Sequence, residues 1–379
     1  MRYQGTDIDG VFLDPERLEV RGTDLLAIAE SCSYGEAVAH ILTGCGRSDA
    51  VAKAVGAIML DALASIHSDA PPVRLVLAAR DAGASPCEAV IAGLMAREQA
   101  APSDAAVRSL PDAQIGEGLA QIAVLPVYLA AAAAPDPTEA RAAIVRCNVF
   151  AQANDATYVG ALHRLFVAAP TPAQTALLER VLTIWHGGFG YLPPSIMMPR
   201  IAIGTGVPLR IALAAGFAAG GPFHIGACEH STRLLATIMA KAAGDGLEAA
   251  AESVVAGALA QAGRLPGFGH PLFVADPRPP FLRRAAGEFM PASPALAAYD
   301  ATVAEVKRRA PQLNPNIDCA SAALFLASGV RMPEAAAGLS LCARAAAMLA
   351  HAIERRRKPA FGVTSAVARR HLSEVPDWL

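Results

Sequence analysis

Residues 265–278 read Leu-Pro-Gly-Phe-Gly-His-Pro-Leu-Phe-Val-Ala-Asp-Pro-Arg. Glycines at 267 and 269, with prolines at 266 and 271, rule out a continuous helix here and make a turn that presents His270. A rigid Asp276-Pro277 step follows, and Arg278 comes directly after it. A histidine and an arginine on one loop can polarise a carbonyl and bind the carboxylate beside it. The same residues serve equally as a surface turn in which Asp276 caps a helix.

Working outward, two more breaks have the same character. Gly220–Ala227 (GGPFHIGA) is a turn between helices that leaves His224 at a helix N-terminus, where the imidazolium is disfavoured and a neutral N–H donor remains. Asn314–Ser321 (NPNIDCAS) is an Asx/Pro turn feeding an apolar helix, with Asp318 at its N-cap or in its first turn. A fourth break, Gly187–Pro194, follows Trp185-His186. Taken singly, each of these groups reads as a capping or packing residue as readily as a chemical one. Loops that interrupt helical packing and carry ionisable groups are nonetheless where chemistry is usually mounted.

Between the breaks the chain reads as all-α. Apolar residues recur at three- and four-residue spacing over Asp24–Thr43, Pro102–Ala133, Pro172–Trp185, Val207–Ala219, Ser231–Ala243, Leu247–Gly263 and Pro333–Arg356. Thr171-Pro172 and Ser293-Pro294 mark helix starts. β-Branched alternation is confined to the N-terminus, where GVFLDPERLEVRG (10–22) predicts a short hairpin.

A chain of 379 residues predicts two domains, or a large domain with a smaller lobe. Its apolar fraction is 54% and its mean hydropathy +0.36, yet the run Ile122–Ala134 holds only 13 uncharged residues and is interrupted by Pro126. A span needs roughly 18–20, so the hydropathy reads as alanine-rich helix packing, with no membrane partner expected. A net charge of −2 argues against a nucleic-acid partner. The Arg355-Arg356-Arg357-Lys358 run reads as a solvated helix face. Seven scattered cysteines without a CxxC pair, and a start lacking an apolar leader, fit a cytoplasmic protein.

GPFHIGA, PGFGHPLF with DPR, NPNIDCAS and Cys342-Ala343-Arg344 through His351, in this order, resemble successive signature segments of citrate synthases. LEVRGTDLLAIAESCSYGEAVAHILTG (18–44) resembles the family's N-terminal segment, so the likeness runs from about residue 10 to about 363. The resemblance implies a citrate synthase-like two-domain helical fold, with 1–229 and 339–379 as the large domain and 230–338 as a smaller CoA-binding lobe. It implies Asp318 as the base that enolises an acyl-CoA, His224 as donor to the thioester oxygen and His270 as donor to the keto oxygen of an oxoacid such as oxaloacetate. Arg278 and Arg344 resemble the family's carboxylate clamps, and His186 matches a histidine that contacts the oxoacid. Lys358 sits where an arginine is lent to the neighbouring subunit, which implies a homodimer. No metal or bound organic cofactor is called for.

The oxoacid half departs from the pattern. His186-Gly187-Gly188-Phe189 stands where citrate synthases read His-Ala-Asp-His, so Phe189 replaces a donor by an apolar wall. Ile225 and Pro271 follow the two histidines where glycine and arginine are common, and the loop to Arg278 is one residue short. The Tyr191-Leu192-Pro193-Pro194-Ser195 segment looks more like citryl-CoA lyase-type relatives. The readings are thus a synthase, a citryl-CoA lyase-type enzyme that cleaves a CoA ester, or a non-catalytic paralogue. A zinc hydrolase lacks the ligand spacing, and His40, His67, His163, His230, His351 and His371 read as structural.

Overall fold

The computed structural model describes residues 6–45, 50–96, 107, 109–187, 189–262, 265–357, 366, 369 and 370. The N-terminal hairpin forms as expected. β1 (Asp9–Leu13) pairs antiparallel with β2 (Glu16–Val20), Asp9 opposite Val20, and the short β3 (Thr23–Asp24) adds to β2. Arg21 and Gly22, between β2 and β3, both have positive φ (51° and 79°), as a two-residue type I′ turn requires. The arginine is held in this conformation by its side chain. Its Nε and Nη2 donate to the carbonyls of Ile41 and Leu42, two acceptors left open at a helix C-terminus.

Capping residues decide where the helices break. Asp24 caps α1 (Leu25–Ser31), and a Ser33/Glu36 capping box then starts α2 (Tyr34–Thr43), so the helix expected over Asp24–Thr43 is two. After α3 (Ala50–Ser65), α4 (Pro71–Asp81) and α5 (Pro86–Met95), the described part of the Pro102–Ala133 window holds α6 (Ala113–Ala123) and α7 (Leu125–Ala133). They part at Val124 because Pro126 has no N–H to continue the ladder. Next come α8 (Pro137–Ala151), α9 (Tyr158–Phe166) and α10 (Pro172–Ile184), the last opened by a Thr171/Gln174 capping box. The chain continues through α11 (Pro194–Gly204), α12 (Leu209–Ala218), α13 (Gly226–Asp245) and α14 (Leu247–Ala262). It closes with α15 (Arg278–Phe289), α16 (Pro294–Arg309), α17 (Ile317–Ala327) and α18 (Pro333–Arg356).

The fold is organised about α18, which is buried without interruption from Ala335 to Ile353. It packs against α2, α6, α7, α11, α12 and α13. Glycine lets two of these neighbours come close. A Cβ on Gly118 of α6 would lie 2.3 Å from Leu349 Cδ1, and one on Gly338 of α18 would lie 2.3 Å from Leu129 Cδ1 of α7. Two helical stretches, Ala113–Ala133 and Pro333–Arg356, are long and apolar enough to cross a bilayer, but 94% and 100% of their apolar windows are buried inside the protein. Burial in the core accounts for their hydropathy. Arg355 is also buried, so the basic run is not wholly the solvated face expected of it.

Helix α13 packs on α14, α16 and α17, and α16 packs on α14 and α17, with α15 against α17, while α13 and α17 also reach α18, and α15 and α17 reach α10. The expected boundaries at 230 and 338 fall within α13 and α18, so any lobe formed by these helices shares both with the rest.

Adding one methyl at the tightest crossing should be costly. Gly338→Ala is expected to lower stability by about 1–3 kcal/mol. Gly56→Ala, in α3 with nothing within 4 Å of the new methyl, should be neutral or stabilising by about 0.5–1 kcal/mol. Thermal denaturation of the two variants tests this, and equal midpoints would refute the close approach.

Candidate active site

The loops that carry His270 and Asp318 are joined directly. Gly269 N donates to Asn314 O (2.8 Å) and Asn316 N to Gly267 O (2.9 Å), forming an antiparallel bridge between Phe268 and Pro315. Asn316 Nδ2 adds a bond to Gly269 O (2.9 Å), while its Oδ1 caps α17 by accepting from Asp318 N (2.9 Å). Gly267 permits the approach. Its φ is +88°, and a Cβ there would meet Ser231 Oγ at 2.2 Å and Cys319 Cβ at 3.0 Å.

Asp276 extends the junction to Arg278. Its carboxylate accepts the Arg278 N–H (3.0 Å), Nε (2.9 Å) and Nη2 (2.8 Å), and also Ile317 N (3.1 Å), the first residue of α17. Pair and helix start are buried together. Burial opposes ionisation of Asp276, but the Arg278 charge and hydrogen bonds outweigh it and hold the carboxyl below its usual range. The capping expected of Asp276 is therefore real, and coexists with an arginine clamp. Arg278 Nη1 has no partner among the described residues.

His270 Nδ1 accepts from the N–H groups of Leu272 and Phe273, both at 3.1 Å. An acceptor nitrogen carries no proton, so the neutral ring holds its proton on Nε2 and presents it as a donor. Burial, with the Arg278 charge, lowers its pKa to about 4. Phe189 stacks on the ring at 5.3 Å and Phe273 at 4.9 Å.

His224 comes from the turn between α12 and α13, and its Nε2 lies 3.0 Å from Ser195 Oγ at the start of α11. Arg344 Nη1 also points at that hydroxyl, at 3.5 Å. Arginine can only donate, so it takes one lone pair of the hydroxyl, and when the hydroxyl hydrogen goes to His224 Nε2 the imidazole proton sits on Nδ1. Burial and the Arg344 charge lower the His224 pKa to about 3, which keeps it a neutral donor.

Asp318 has one carboxylate oxygen, Oδ1, that is buried without a partner among the described residues. Burial raises its pKa to about 7, against the opposing pull of Arg278 and Arg344. Arg344, buried in α18 with its guanidinium 4.8 Å above the Trp185 ring, is lowered to about 10 by burial and by Arg278.

His224, His270, Asp318, Arg278 and Arg344 line one cleft of about 460 Å³. A second hollow of about 630 Å³ shares Phe223 with it and carries Arg233, Lys241 and His230. His186 is not among the cleft-lining residues. It is fully buried, 4.9 Å from the Tyr34 ring, with its pKa lowered to about 3 by burial and then by His40, and its Nε2 is without a partner among the described residues. Lys358, Gly188 and His371 lie outside the described residues, and Arg357 pairs with Asp112 at 3.1 Å. His40, His163 and His230 bond main-chain carbonyls, while His351 Nδ1 meets Arg200 at 2.9 Å. In the sequence Ser195 shows only as the end of the lyase-like Tyr191–Ser195 segment and as a Pro-Pro-Ser helix start, neither of which points to a partner for His224.

No curated protein matches the sequence. Among solved structures, citrate synthase from Thermotoga maritima is similar, with a TM-score of 0.70 at 19% identity over 93% of this chain and 88% of that one. Citrate synthase from Thermoplasma acidophilum, in ternary complex with carboxymethyl coenzyme A and oxaloacetate, gives 0.71 at 15% identity over 95% and 92%. Citryl-CoA lyase from Hydrogenobacter thermophilus gives 0.51 at 21% identity over 59% of this chain and 84% of that one. These likenesses describe the fold. The family described as citrate synthase, C-terminal domain, matches residues 1–362, and on that match the chain belongs to the citrate synthase family.

Proposed function

We propose that the protein joins an acyl-CoA to a 2-oxoacid by enolisation, aldol-type addition and hydrolysis of the resulting thioester. The observation that carries the reading is the meeting in one cleft of a carboxyl with a pKa of about 7 and two neutral histidines. Asp318 takes a proton from the carbon next to the thioester while His224 Nδ1–H donates to the thioester oxygen, which steadies the enol. The enol carbon attacks the keto carbon of the oxoacid. His270 Nε2–H donates to the keto oxygen as it becomes an alkoxide and then a hydroxyl. Arg278 and Arg344 hold the oxoacid's carboxylate in register. Water then cleaves the thioester, releasing CoA thiol and the acid. The proposal includes no metal or organic cofactor.

Oxaloacetate is the oxoacid that the family likeness suggests. The second hollow, with Arg233 and Lys241 beside the cleft, suits the phosphates of CoA, and α13–α17 would form the lobe that closes over it. A homodimer fits the exposed apolar face of α11, where Met197, Met198 and Ile201 are 37%, 41% and 56% exposed. A cytoplasmic location belongs to the same proposal. The reverse reaction, citryl-CoA lyase-type cleavage, is favoured by Phe189 in the cleft and by the partial likeness to a lyase. The joint placement of His224, His270 and Asp318 argues against a non-catalytic paralogue.

Activity should follow ionisation of Asp318, because both histidines are neutral well below pH 6. With purified protein, acetyl-CoA and a panel of oxoacids, kcat/KM for thiol release is expected to rise tenfold per pH unit up to about 7 and then level off. Citryl-CoA cleavage is assayed in parallel. Asp318→Ala should abolish turnover and exchange of acetyl-CoA methyl protons with deuterated water, and full activity in that variant would remove the proposed base.

The same raised pKa has a stability consequence of opposite sense to an ordinary paired carboxylate. Between the unfolded value of about 3.9 and about 7, the folded state holds the proton more tightly, so stability falls as pH rises through that window. Asp318→Asn should therefore raise the midpoint of unfolding at pH 8 and leave it unchanged near pH 3.5. A midpoint lowered at pH 8 contradicts the assignment.

Ser195→Ala removes one orienting hydrogen bond, of about 1–1.5 kcal/mol, from His224. It should lower kcat about tenfold with KM little changed, and an unaltered kcat would show that the hydroxyl does not position the ring.

A further inference from the structure

Resting on the condensation reading, the structure assigns Glu16 of the N-terminal hairpin as a positioning residue for His270, acting through the loop that joins His270 to Arg278. The observation that carries this is where the loop's N–H groups go. Leu272 N and Phe273 N donate to His270 Nδ1, both at 3.1 Å, while Val274 N donates to Glu16 Oε1 (2.6 Å) and Ala275 N to Glu16 Oε2 (3.1 Å). Four consecutive N–H groups thus end on two side chains, where a helix or strand would end them on main-chain carbonyls. The Val274 carbonyl accepts from a third side chain, Asn314 Nδ2, at 2.8 Å. Side chains from elsewhere therefore set the shape of this loop.

His270 and Asn314 belong to the joined loops that present Asp318, but Glu16 lies 258 positions before Val274 and comes from another part of the fold. It opens β2, whose hairpin is fastened to the other side of the cleft. Val11, Leu18 and Val20 of the hairpin are buried, Arg21 holds the end of α2, and Glu354 of α18 accepts from Thr6 Oγ1 (2.9 Å) and Asp7 N (2.8 Å) just before β1. Glu16 is thus a tie from the side that supplies Arg344 to the loop that orients His270. Its two oxygens match two successive N–H groups, and its charge strengthens both bonds. The imidazole presents Nε2–H only while Leu272 and Phe273 occupy Nδ1. A loop released at Val274 and Ala275 withdraws those two donors and lets the ring turn.

Val274 is 84% exposed, so without Glu16 the two freed N–H groups meet water, and Glu16→Ala is expected to fold. With the full-length protein, acetyl-CoA and the oxoacid that releases most thiol, Glu16→Ala should lower kcat/KM for the oxoacid at least fivefold and leave KM for acetyl-CoA within twofold. Glu30→Gln is the control. Glu30 pairs with Arg284 at 3.1 Å, tying α1 to α15 without touching the loop, and its loss should change neither constant by more than twofold. A loss below fivefold in Glu16→Ala, or an equal loss in Glu30→Gln, overturns the assignment. Residue-resolved amide hydrogen exchange supplies a readout that does not need turnover. In Glu16→Ala, exchange should accelerate at least fivefold at Leu272 and Phe273, which Glu16 does not touch, as well as at Val274 and Ala275. Acceleration confined to Val274 and Ala275 shows a local contact only and sinks the idea. If the unaltered protein releases no thiol with any oxoacid and acetyl-CoA methyl protons do not exchange, the condensation reading fails, and amide exchange alone decides whether Glu16 positions His270.

Discussion

Asp276 accepts four hydrogen bonds with two oxygens: three from Arg278 and one from the first N–H of α17. The rest of the site depends on this buried carboxylate. It fixes Arg278 at the start of α15, and it fixes the helix end that presents Asp318, so an arginine and a carboxyl from separate segments share one anchor. Removing one member of such a buried pair costs about 3–5 kcal/mol, because the other charge is left without a partner. The bridge from Gly267–Gly269 to Asn314–Asn316 completes the arrangement. His270 and Asp318 are consequently held by hydrogen bonds between their own loops, and do not rely on long side chains to find one another.

Opposite this anchored pair stands α18, a long helix buried from Ala335 to Ile353, which supplies Arg344. Its burial is possible because alanine and glycine let α6 and α7 approach, and because the one arginine at mid-helix is covered by Trp185 and directed at Ser195. The resulting electrostatics are consistent. Burial drives both histidines neutral, so they act as donors without adding positive charge. It drives Asp318 toward protonation until the two arginines arrest the shift near neutrality. A group poised there can both take and return a proton at ordinary pH.

All-α architecture was legible in residue spacing, because alanine-rich amphipathic periodicity survives without knowledge of neighbours. Helix ends were less so: Asp24–Thr43 broke at Ser33, and α13 began at Gly226 rather than Ser231, since capping bonds and turn geometry act at single residues within an otherwise helical pattern. His224, His270, Asp318, Arg278 and Arg344 were each nameable from Gly/Pro breaks and from motif order. Ser195 was not, because a serine after two prolines looks like any helix start.

By itself, then, the sequence determined the helical class, the family and the identities of the ionisable groups, all of which are written in local composition and order. Tertiary structure alone decided which of them meet, which nitrogen of His270 carries the proton, and that His186 packs on Tyr34 instead of lining the cleft. It also set the Phe189 ring against His270 and within reach of the Arg278 guanidinium, where the sequence shows only an absent donor. The reason is physical: tautomers, pKa values and unmatched N–H groups are set by neighbours within a few ångströms, and those neighbours come from segments up to about 150 residues apart, as Ser195 and Arg344 do.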